Sequence, residues 1–136
     1  MGTFGSLEEA REFFKGDRFA TVNGMQIESL EEGRSVCSME LTDAHQNAMG
    51  GIMGGVIFTL ADFAFATVVN HNHKGTVAQQ VSINYLKAPK KGDKLFAEAL
   101  IKHNGRRSVI VNVAVTDADG RDVAQFVGTG YKLDPL

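Results

Sequence analysis

The pattern of hydrophobic residues divides the chain into one wholly apolar segment and several alternating ones. From Val56 to Val69 nearly every side chain is apolar, and Asp62 carries the only charge. Apolar residues on every face are typical of a helix that the rest of the protein encloses. The segment is shorter than the ~20 apolar residues of a membrane span, and an acid interrupts it. We therefore predict a core helix from about Gly54 to Val69, preceded by glycines and closed by Asn70.

The residues before this helix predict a smaller helix and short extended segments. Ser6 and Glu9 have the spacing of a capping box, and an apolar stripe follows them on one face, formed by Leu7, Ala10, Phe13 and Phe14. We expect this first helix to end at Gly16 and to flank the domain. Residues 19–25 and 26–30 predict short extended segments. Residues 36–41 alternate with period two, which predicts a strand with Cys37 on its buried face.

The second half of the chain predicts four strands. They cover residues 77–85, 95–102, 109–115 and 123–133, and turn signals at 90–93, 104–105 and 117–120 separate them. In the first of these strands the alternation places Val77, Gln79, Val81, Ile83 and Tyr85 on one face. Strands joined by tight turns are antiparallel neighbours, so these strands predict a meander.

These elements predict an α+β protein in which a curved antiparallel sheet wraps around one long central helix. Residues 1–136 form a single domain, with residues 1–16 as an N-terminal helical flank. An apolar edge that the sheet leaves uncovered needs a second chain, so we expect a homodimer.

Composition and charge exclude several classes of function. A chain of 136 residues can bury a core without disulfides or metal, and its net charge of −2 with no basic stripe argues against nucleic-acid partners. The single cysteine and an N-terminus without a secretory signal predict a cytoplasmic protein with no membrane partner. His71 and His73 lack a third ligand nearby, so we expect no metal site.

Asp62 is the first residue that needs an explanation. Burying an ionised carboxylate without partners costs several kcal/mol, so Asp62 must be neutral, hydrogen-bonded or beside a cleft. It lies about two turns after Gly54 and Gly55, whose N–H groups have no partner inside a helix. Such donors stabilise the oxyanion that forms when an acyl carbon is attacked, and a carboxylate can activate water or attack that carbon itself. Asn47, in the preceding loop, would hold the water or orient the carbonyl. The alternative is an acid satisfied by a hydroxyl or by a partner chain.

The block from His45 to Gly50, followed by Gly54-Gly55 and the helix as far as Asp62, resembles the signature of hotdog-fold acyl-CoA thioesterases of the phenylacetate-degradation (PaaI-like) branch. The likeness extends from about residue 36 to residue 132. It implies a hotdog fold and hydrolysis of a small or aromatic acyl-CoA to the free acid and CoA. Asp62 would be general base or nucleophile, the Gly54 N–H would polarise the thioester carbonyl, and Asn47 would place water or carbonyl.

The same resemblance implies active sites shared between the two subunits of a homodimer, and dimers of dimers. No separate cofactor is expected, since coenzyme A is part of the substrate. The chain departs from the family pattern at Met53, where relatives usually have histidine. Methionine forms no useful hydrogen bond there, so a non-catalytic acyl-CoA or acyl-carrier binding protein is an alternative function. A hydratase or dehydratase is less favoured, because the helix and its start contain no histidine.

Further residues are candidates for substrate binding. Met53, Gly55 and Phe58 are candidates near the helix start. The shape of the acyl pocket depends on which of five side chains line it, namely Phe58, Phe63, Phe65, Met49 and Met53. Gln79 or Gln80 falls where some relatives have a serine or threonine that assists the water. Arg106 and Arg107 are candidates for the phosphates of coenzyme A, and their alternative role is a solvated sheet edge.

Overall fold

A computed structural model describes residues 2–134; Met1 and residues 135–136 of the predicted domain lie outside the described residues. The chain contains three α-helices, six strands and one 3-10 turn among the described residues. In chain order these are α1 (Leu7–Phe14), α2 (Arg18–Val22), β1 (Gln26–Glu31), β2 (Arg34–Glu40), the 3-10 turn (Asp43–His45), α3 (Gly54–Asn72), β3 (Thr76–Tyr85), β4 (Lys94–Asn104), β5 (Ser108–Asp117) and β6 (Asp122–Lys132).

The sheet encloses α3 as the apolar pattern predicts. It is antiparallel, its strand order is β1-β2-β4-β5-β6-β3, and every strand contacts α3. The inward face of β5 is fully buried against the helix, through Val109, Val111, Val113 and Val115. On the helix, Leu60 and Val68 are likewise fully buried. The predicted α+β architecture, with one long helix inside an antiparallel sheet, is confirmed.

The core helix is three residues longer than predicted. Asn70 does not close it, because the Asn70 side chain connects the helix to the next strand. Its oxygen accepts hydrogen bonds from the N–H groups of Gly75 (2.9 Å) and Thr76 (3.1 Å), while its amide donates to the Ala66 carbonyl (2.9 Å). The helix therefore continues to Asn72.

The predicted meander is right for β4, β5 and β6 and wrong for β3. β3 pairs with β6, and β2 takes the place beside β4. The reason is the connection formed by residues 86–93, which contains Pro89 and passes across the sheet instead of turning back. Its first residue, Leu86, still donates its N–H to the carbonyl of Val123 in β6 (2.8 Å). As a result β1 and β3 are the two edge strands.

The predicted single face of β3 is interrupted by a β-bulge between Ala78 and Gln80. A bulge adds one residue to a strand and inverts the alternation of its side chains. Thr76 is buried before the bulge, and Val81 and Ile83 pack against the core after it. Val77, predicted to share their face, is 46% exposed.

The segment predicted to be extended from residue 19 to 25 instead begins as α2. Its side chains bond to carbonyl groups four residues earlier, a contact that only helical backbone brings within reach. The Thr21 hydroxyl donates to the Asp17 carbonyl (3.1 Å), and the Asn23 amide donates to the Phe19 carbonyl (2.8 Å). This error matters for function, because α2 covers part of α3.

The N-terminal helix follows its prediction in most respects. The Ser6 hydroxyl accepts the Glu9 N–H (3.1 Å), as expected for an N-cap. The Glu9 carboxylate accepts from Gly5 and not from Ser6, so the capping box is shifted by one residue. The helix ends at Phe14, two residues before the predicted end.

Two apolar features have structural and not chemical roles. Cys37 is fully buried, and burial raises the pKa of its thiol to about 12, so it is the inert core residue that the strand pattern predicts. Among the described residues, α3 is the one helix long and apolar enough to cross a membrane. More than half of it is buried in the fold, as befits a core helix.

Candidate active site

The start of α3 carries free backbone donors. Met53 is the N-cap residue, and its side chain makes no capping hydrogen bond because it has no oxygen to offer. The N–H groups of Gly54 and Gly55 therefore have no acceptor among residues 2–134. The Met53 N–H donates to the His45 carbonyl (2.9 Å), which fixes the helix start against the preceding loop.

Tyr85 packs on the first residue of the helix. Its hydroxyl donates to the Gly54 carbonyl over 3.0 Å. A Cβ atom on Gly54 would lie 3.2 Å from Cζ of the tyrosine ring, which is tighter than an ordinary contact. The sequence does not single out Tyr85 as a site residue, because only the packing of β3 on α3 brings it to the helix start.

Asn47 holds the loop before α3 in a compact shape. Its side-chain oxygen accepts from the N–H groups of Met49 (2.9 Å) and Gly51 (3.1 Å), and its own N–H donates to the Gly51 carbonyl (2.7 Å). Gly50, with a φ of 85°, supplies the left-handed residue that this turn needs. The side-chain oxygen of Asn47 is thus bonded within the loop. The side-chain NH2 group is the part of Asn47 that remains for a ligand.

The buried side chain of His45 holds this loop against α2. Its side chain is only 4% exposed. Its Nδ1 accepts a hydrogen bond from the Thr42 N–H (2.9 Å). Its Nε2–H donates to the side-chain oxygen of Asn23 (3.2 Å). The His45 ring therefore joins the end of α2 to the loop that carries Asn47.

Asp62 lines a cavity of about 230 Å³ between α2 and α3. The other lining residues are Asp17, Arg18, Phe19, Ala20, Thr59 and Phe63. Burial, and secondarily the negative charge of Asp17, raises the pKa of the Asp62 carboxyl. An elevated pKa makes the ionised carboxylate a better proton acceptor, which is the property that a general base requires.

Within one chain the three residues predicted to be catalytic do not meet. Asp62 follows Gly54 by eight residues, which places it about 12 Å further along the helix axis. Neither Gly54 nor Asn47 lines the cavity of Asp62. Asn47 and Gly54 lie at one end of α3, whereas Asp62 lies beneath α2.

The candidate substrate-binding residues near the helix start have mixed environments. The Met53 side chain is 56% exposed, next to Gly55. The Phe58 ring packs edge-on against Phe126 (5.7 Å between ring centroids), so it is turned toward the sheet. Gln79 occupies the bulge of β3, Gln80 pairs with Thr129, and both glutamines are exposed on the edge strand.

Arg106 and Arg107 lie at the opposite end of α3. They line a cavity of about 180 Å³ with His73, the C-cap residue directly after α3. The 19 residues of α3 separate this end from Gly54 by about 27 Å. Arg107 also forms an ion pair with Asp134. Within residues 2–134, no group of three or more His, Cys, Asp or Glu side chains is arranged to hold a metal ion.

The chain is similar to known thioesterases along most of its length. The sequence pattern of the thioesterase superfamily matches residues 49–124. Escherichia coli K12 acyl-coenzyme A thioesterase PaaI is 29% identical over 93% of this chain and 90% of its own. The E. coli PaaI structure superimposes with a TM-score of 0.87, covering 95% of this chain and 94% of that chain.

Two further relatives extend this similarity. Human acyl-coenzyme A thioesterase 13 is 27% identical over 82% of both chains. The structure of a protein described as a hypothetical thioesterase from Streptococcus pneumoniae TIGR4, determined with coenzyme A, has a TM-score of 0.78 and 31% identity. The superposition covers 87% of this chain and 94% of that chain. With its fold and its superfamily match, this chain belongs to the thioesterase superfamily, as a hotdog-fold thioester hydrolase of the PaaI-like branch.

Proposed function

We propose that this protein hydrolyses small or aromatic acyl-CoA thioesters to the free acid and CoA. The observation that carries the proposal is the pairing of two features of α3: a half-buried carboxylate with a raised pKa at Asp62, and an uncapped helix start at Gly54. The names of the E. coli and human relatives support acyl-CoA as the substrate, and so does the coenzyme A bound in the S. pneumoniae structure.

The chemistry follows from these two groups. As general base, Asp62 takes a proton from water, and the resulting hydroxide attacks the thioester carbon. The Gly54 N–H donates to the carbonyl oxygen as it becomes negative. The tetrahedral intermediate then releases the CoA sulfur, which receives the proton held by Asp62. As nucleophile, Asp62 would instead attack the thioester carbon and expel the CoA thiolate. The acyl anhydride formed on Asp62 is then hydrolysed by water, and both routes use the same two groups.

The 12 Å between Gly54 and Asp62 argues that each site takes these groups from two copies of the chain. The edge strand β3 offers an unpaired backbone edge to a second copy. Exposed apolar side chains lie along this edge at Val77 and Tyr85 and directly after it at Leu86. We therefore propose a homodimer with shared sites, in which Asn47 and Gly54 of one subunit face Asp62 of the other. Dimers of dimers and a cytoplasmic location remain predictions from the sequence.

The small cavity beside Asp62 favours a small acyl group. About 230 Å³ lies below the ~300–1,000 Å³ of sites for drug-sized ligands. Coenzyme A would enter as part of the substrate, so no separate cofactor is required. Arg106 and Arg107 stay candidates for its phosphates, from a position remote from Gly54 of their own chain.

Thiol release from a panel of acyl-CoA substrates tests this function. We expect the wild type to hydrolyse short-chain and phenylacetyl-CoA, and Asp62→Asn to lose about 10²–10⁴-fold in kcat. Asp122→Asn, which changes an exposed acid at the start of β6, is the matched control and should keep wild-type rates. Equal rates for the wild type and Asp62→Asn would remove Asp62 from the mechanism.

Met53 gives specific support to a second function, acyl-CoA or acyl-carrier binding without turnover. The N-cap position at the helix start holds a side chain that can neither donate nor accept a useful hydrogen bond. In that case wild type binds acyl-CoA without releasing thiol, and Met53→His raises turnover sharply. A wild type that already turns over, with no gain from Met53→His, contradicts this second function.

A further inference from the structure

A second cavity lies on the other side of α2 from Asp62. Its volume is about 350 Å³, and α1, α2 and the start of β1 enclose it. Apolar side chains form most of its wall, namely Phe14, Met25, Ile27 and Phe63, with Arg11 and Lys15 among its other lining residues. Arg11 is already engaged, since its guanidinium donates twice to the Ile27 carbonyl (2.9 and 2.7 Å). The cavity is thus an apolar space beside the candidate acyl site.

Phe63 belongs to the wall of both cavities. It directly follows Asp62 on α3, and its side chain is only 4% exposed. Its ring meets Phe14 edge-on, at 6.0 Å between centroids and 87° between planes. Phe63 is therefore a partition with the candidate catalytic carboxylate on one side and the apolar cavity on the other.

The α2 helix covers both cavities. Ala20 lines the cavity of Asp62, and the next residue, Thr21, lines the apolar cavity. The helix has five residues, and Asp17 at its N-cap makes no side-chain capping bond. Helices this short are held by their packing, so α2 can accommodate a change in the residues beneath it.

We propose that Phe63 determines the length of acyl group that this enzyme accepts. The inference rests on the thioester hydrolysis proposed above and adds a specificity determinant to it. With Phe63 in place, an acyl group beside Asp62 has only the smaller cavity, which suits short chains or a single ring. When the ring is removed, the two spaces join under α2 and a longer alkyl chain continues into the apolar cavity.

The test compares acyl-chain preference in variants at Phe63. Butyryl-, phenylacetyl-, decanoyl- and lauroyl-CoA are assayed with the wild type, Phe63→Ala and the gentler Phe63→Leu. We expect the ratio of kcat/KM for lauroyl-CoA to that for butyryl-CoA to rise about tenfold or more in Phe63→Ala, since burying two extra methylene groups already gives about this factor. Phe63→Leu should shift the ratio in the same direction by a smaller factor.

Two controls separate specificity from general damage to the core. Phe13→Ala removes a half-exposed ring from α1 that lines neither cavity, and it should leave the ratio unchanged. Adding Thr21→Phe to Phe63→Ala refills the apolar cavity and should return the ratio toward the wild-type value. An unchanged ratio in folded Phe63→Ala and Phe63→Leu would overturn the inference.

A binding measurement keeps this inference distinct from the proposed function. Calorimetry with butyl and dodecyl thioethers of CoA, which cannot be hydrolysed, reports acyl-chain preference without turnover. Tighter binding of the dodecyl ligand to Phe63→Ala than to the wild type supports the partition even if no thioester is cleaved. Equal dodecyl affinities in the wild type and both Phe63 variants reject it, whatever the enzymatic rates.

Discussion

The Tyr85 hydroxyl donates a 3.0 Å hydrogen bond to the Gly54 carbonyl, and its ring fills the space where a side chain on Gly54 would begin. This contact joins the end of β3 to the first residue of α3. It gives a structural reason for glycine at residue 54, in addition to the close approach of a substrate carbonyl. The two reasons make different predictions for substitutions at this residue.

Gly54→Pro removes the N–H group while keeping the helix start. Proline is favoured at the first position of a helix, and the ψ of 130° at Met53 is compatible with a following proline. We expect kcat for acyl-CoA hydrolysis to fall about 10²–10³-fold, because an oxyanion donor is lost.

Gly54→Ala is the matched control for that experiment, since it adds the same Cβ against Tyr85 but keeps the N–H. If the N–H polarises the carbonyl, alanine should retain most of the activity that proline loses. If both variants lose activity equally, and Gly54→Ala recovers when Tyr85→Leu is added, packing against Tyr85 and not the N–H explains the glycine.

Asp62 should reduce the stability of the fold at neutral pH. Its pKa is raised in the folded protein, mainly by burial, so the folded state favours the protonated form. The ionised carboxylate therefore destabilises the protein above the folded pKa, and this penalty disappears as the pH falls through that pKa toward 3.8. We expect Asp62→Asn to have a higher Tm than the wild type at pH 7.5, with the difference shrinking on acidification.

The catalytic pH profile provides a second reading of the same pKa. A general base works only when ionised, so kcat/KM should fall on the acid side at a pH above the ordinary titration of an aspartate.

The stability experiment has its own contradicting outcome. A Tm for Asp62→Asn below that of the wild type at pH 7.5 would show that the carboxylate has a stabilising partner.

Asp117 should have the opposite effect on stability. Lys87 pairs with it at 2.6 Å, and this contact, followed by the N–H of Arg121, lowers the pKa of Asp117 to about 2. A lowered pKa means that the stabilisation is complete above pH 3.8 and is lost as the pH falls toward about 2. We expect Lys87→Met to lower the unfolding midpoint in urea at pH 7.

The difference in urea unfolding midpoint between the wild type and Lys87→Met should become smaller when the titration is repeated near pH 2.5. Lys90→Met, in the same connection but with no ion pair among the described residues, is the control. A constant difference between the wild type and Lys87→Met from pH 7 to pH 2.5 would mean that lost packing of the lysine stem, and not the charge pair, causes the effect.

The sequence predicts the core of this fold well because its signals are local. The apolar run around Asp62 and the alternating valines of β5 need no knowledge of distant residues. The pairing of β3 with β6, in contrast, depends on how residues 86–93 cross the sheet, and no periodicity encodes that path. The bulge in β3 is likewise not predicted by periodicity, since one unpaired residue reverses which side chains face the helix.

The candidate site also combines residues with a local sequence signal and residues that only tertiary packing brings together. The motif leads directly to Asn47, Gly54 and Asp62, but Tyr85 comes from a strand 31 residues beyond Gly54 and reaches it only through tertiary packing. The α2 roof over Asp62 was missed because its residues have no clear helical period over five positions. The second cavity was missed with it, since Phe63 separates two spaces that exist only once α2 is in place.

Subunit complementation tests the central claim most directly. Asp62→Asn and Gly54→Pro, each inactive alone, are co-expressed with different tags, and the mixed dimer is purified through both. If one site combines Asp62 of one subunit with Gly54 of the other, the hybrid has one intact site of two and should recover about half of the wild-type activity per dimer. A folded hybrid that remains as inactive as its parents would contradict a thioester held between two copies of this chain.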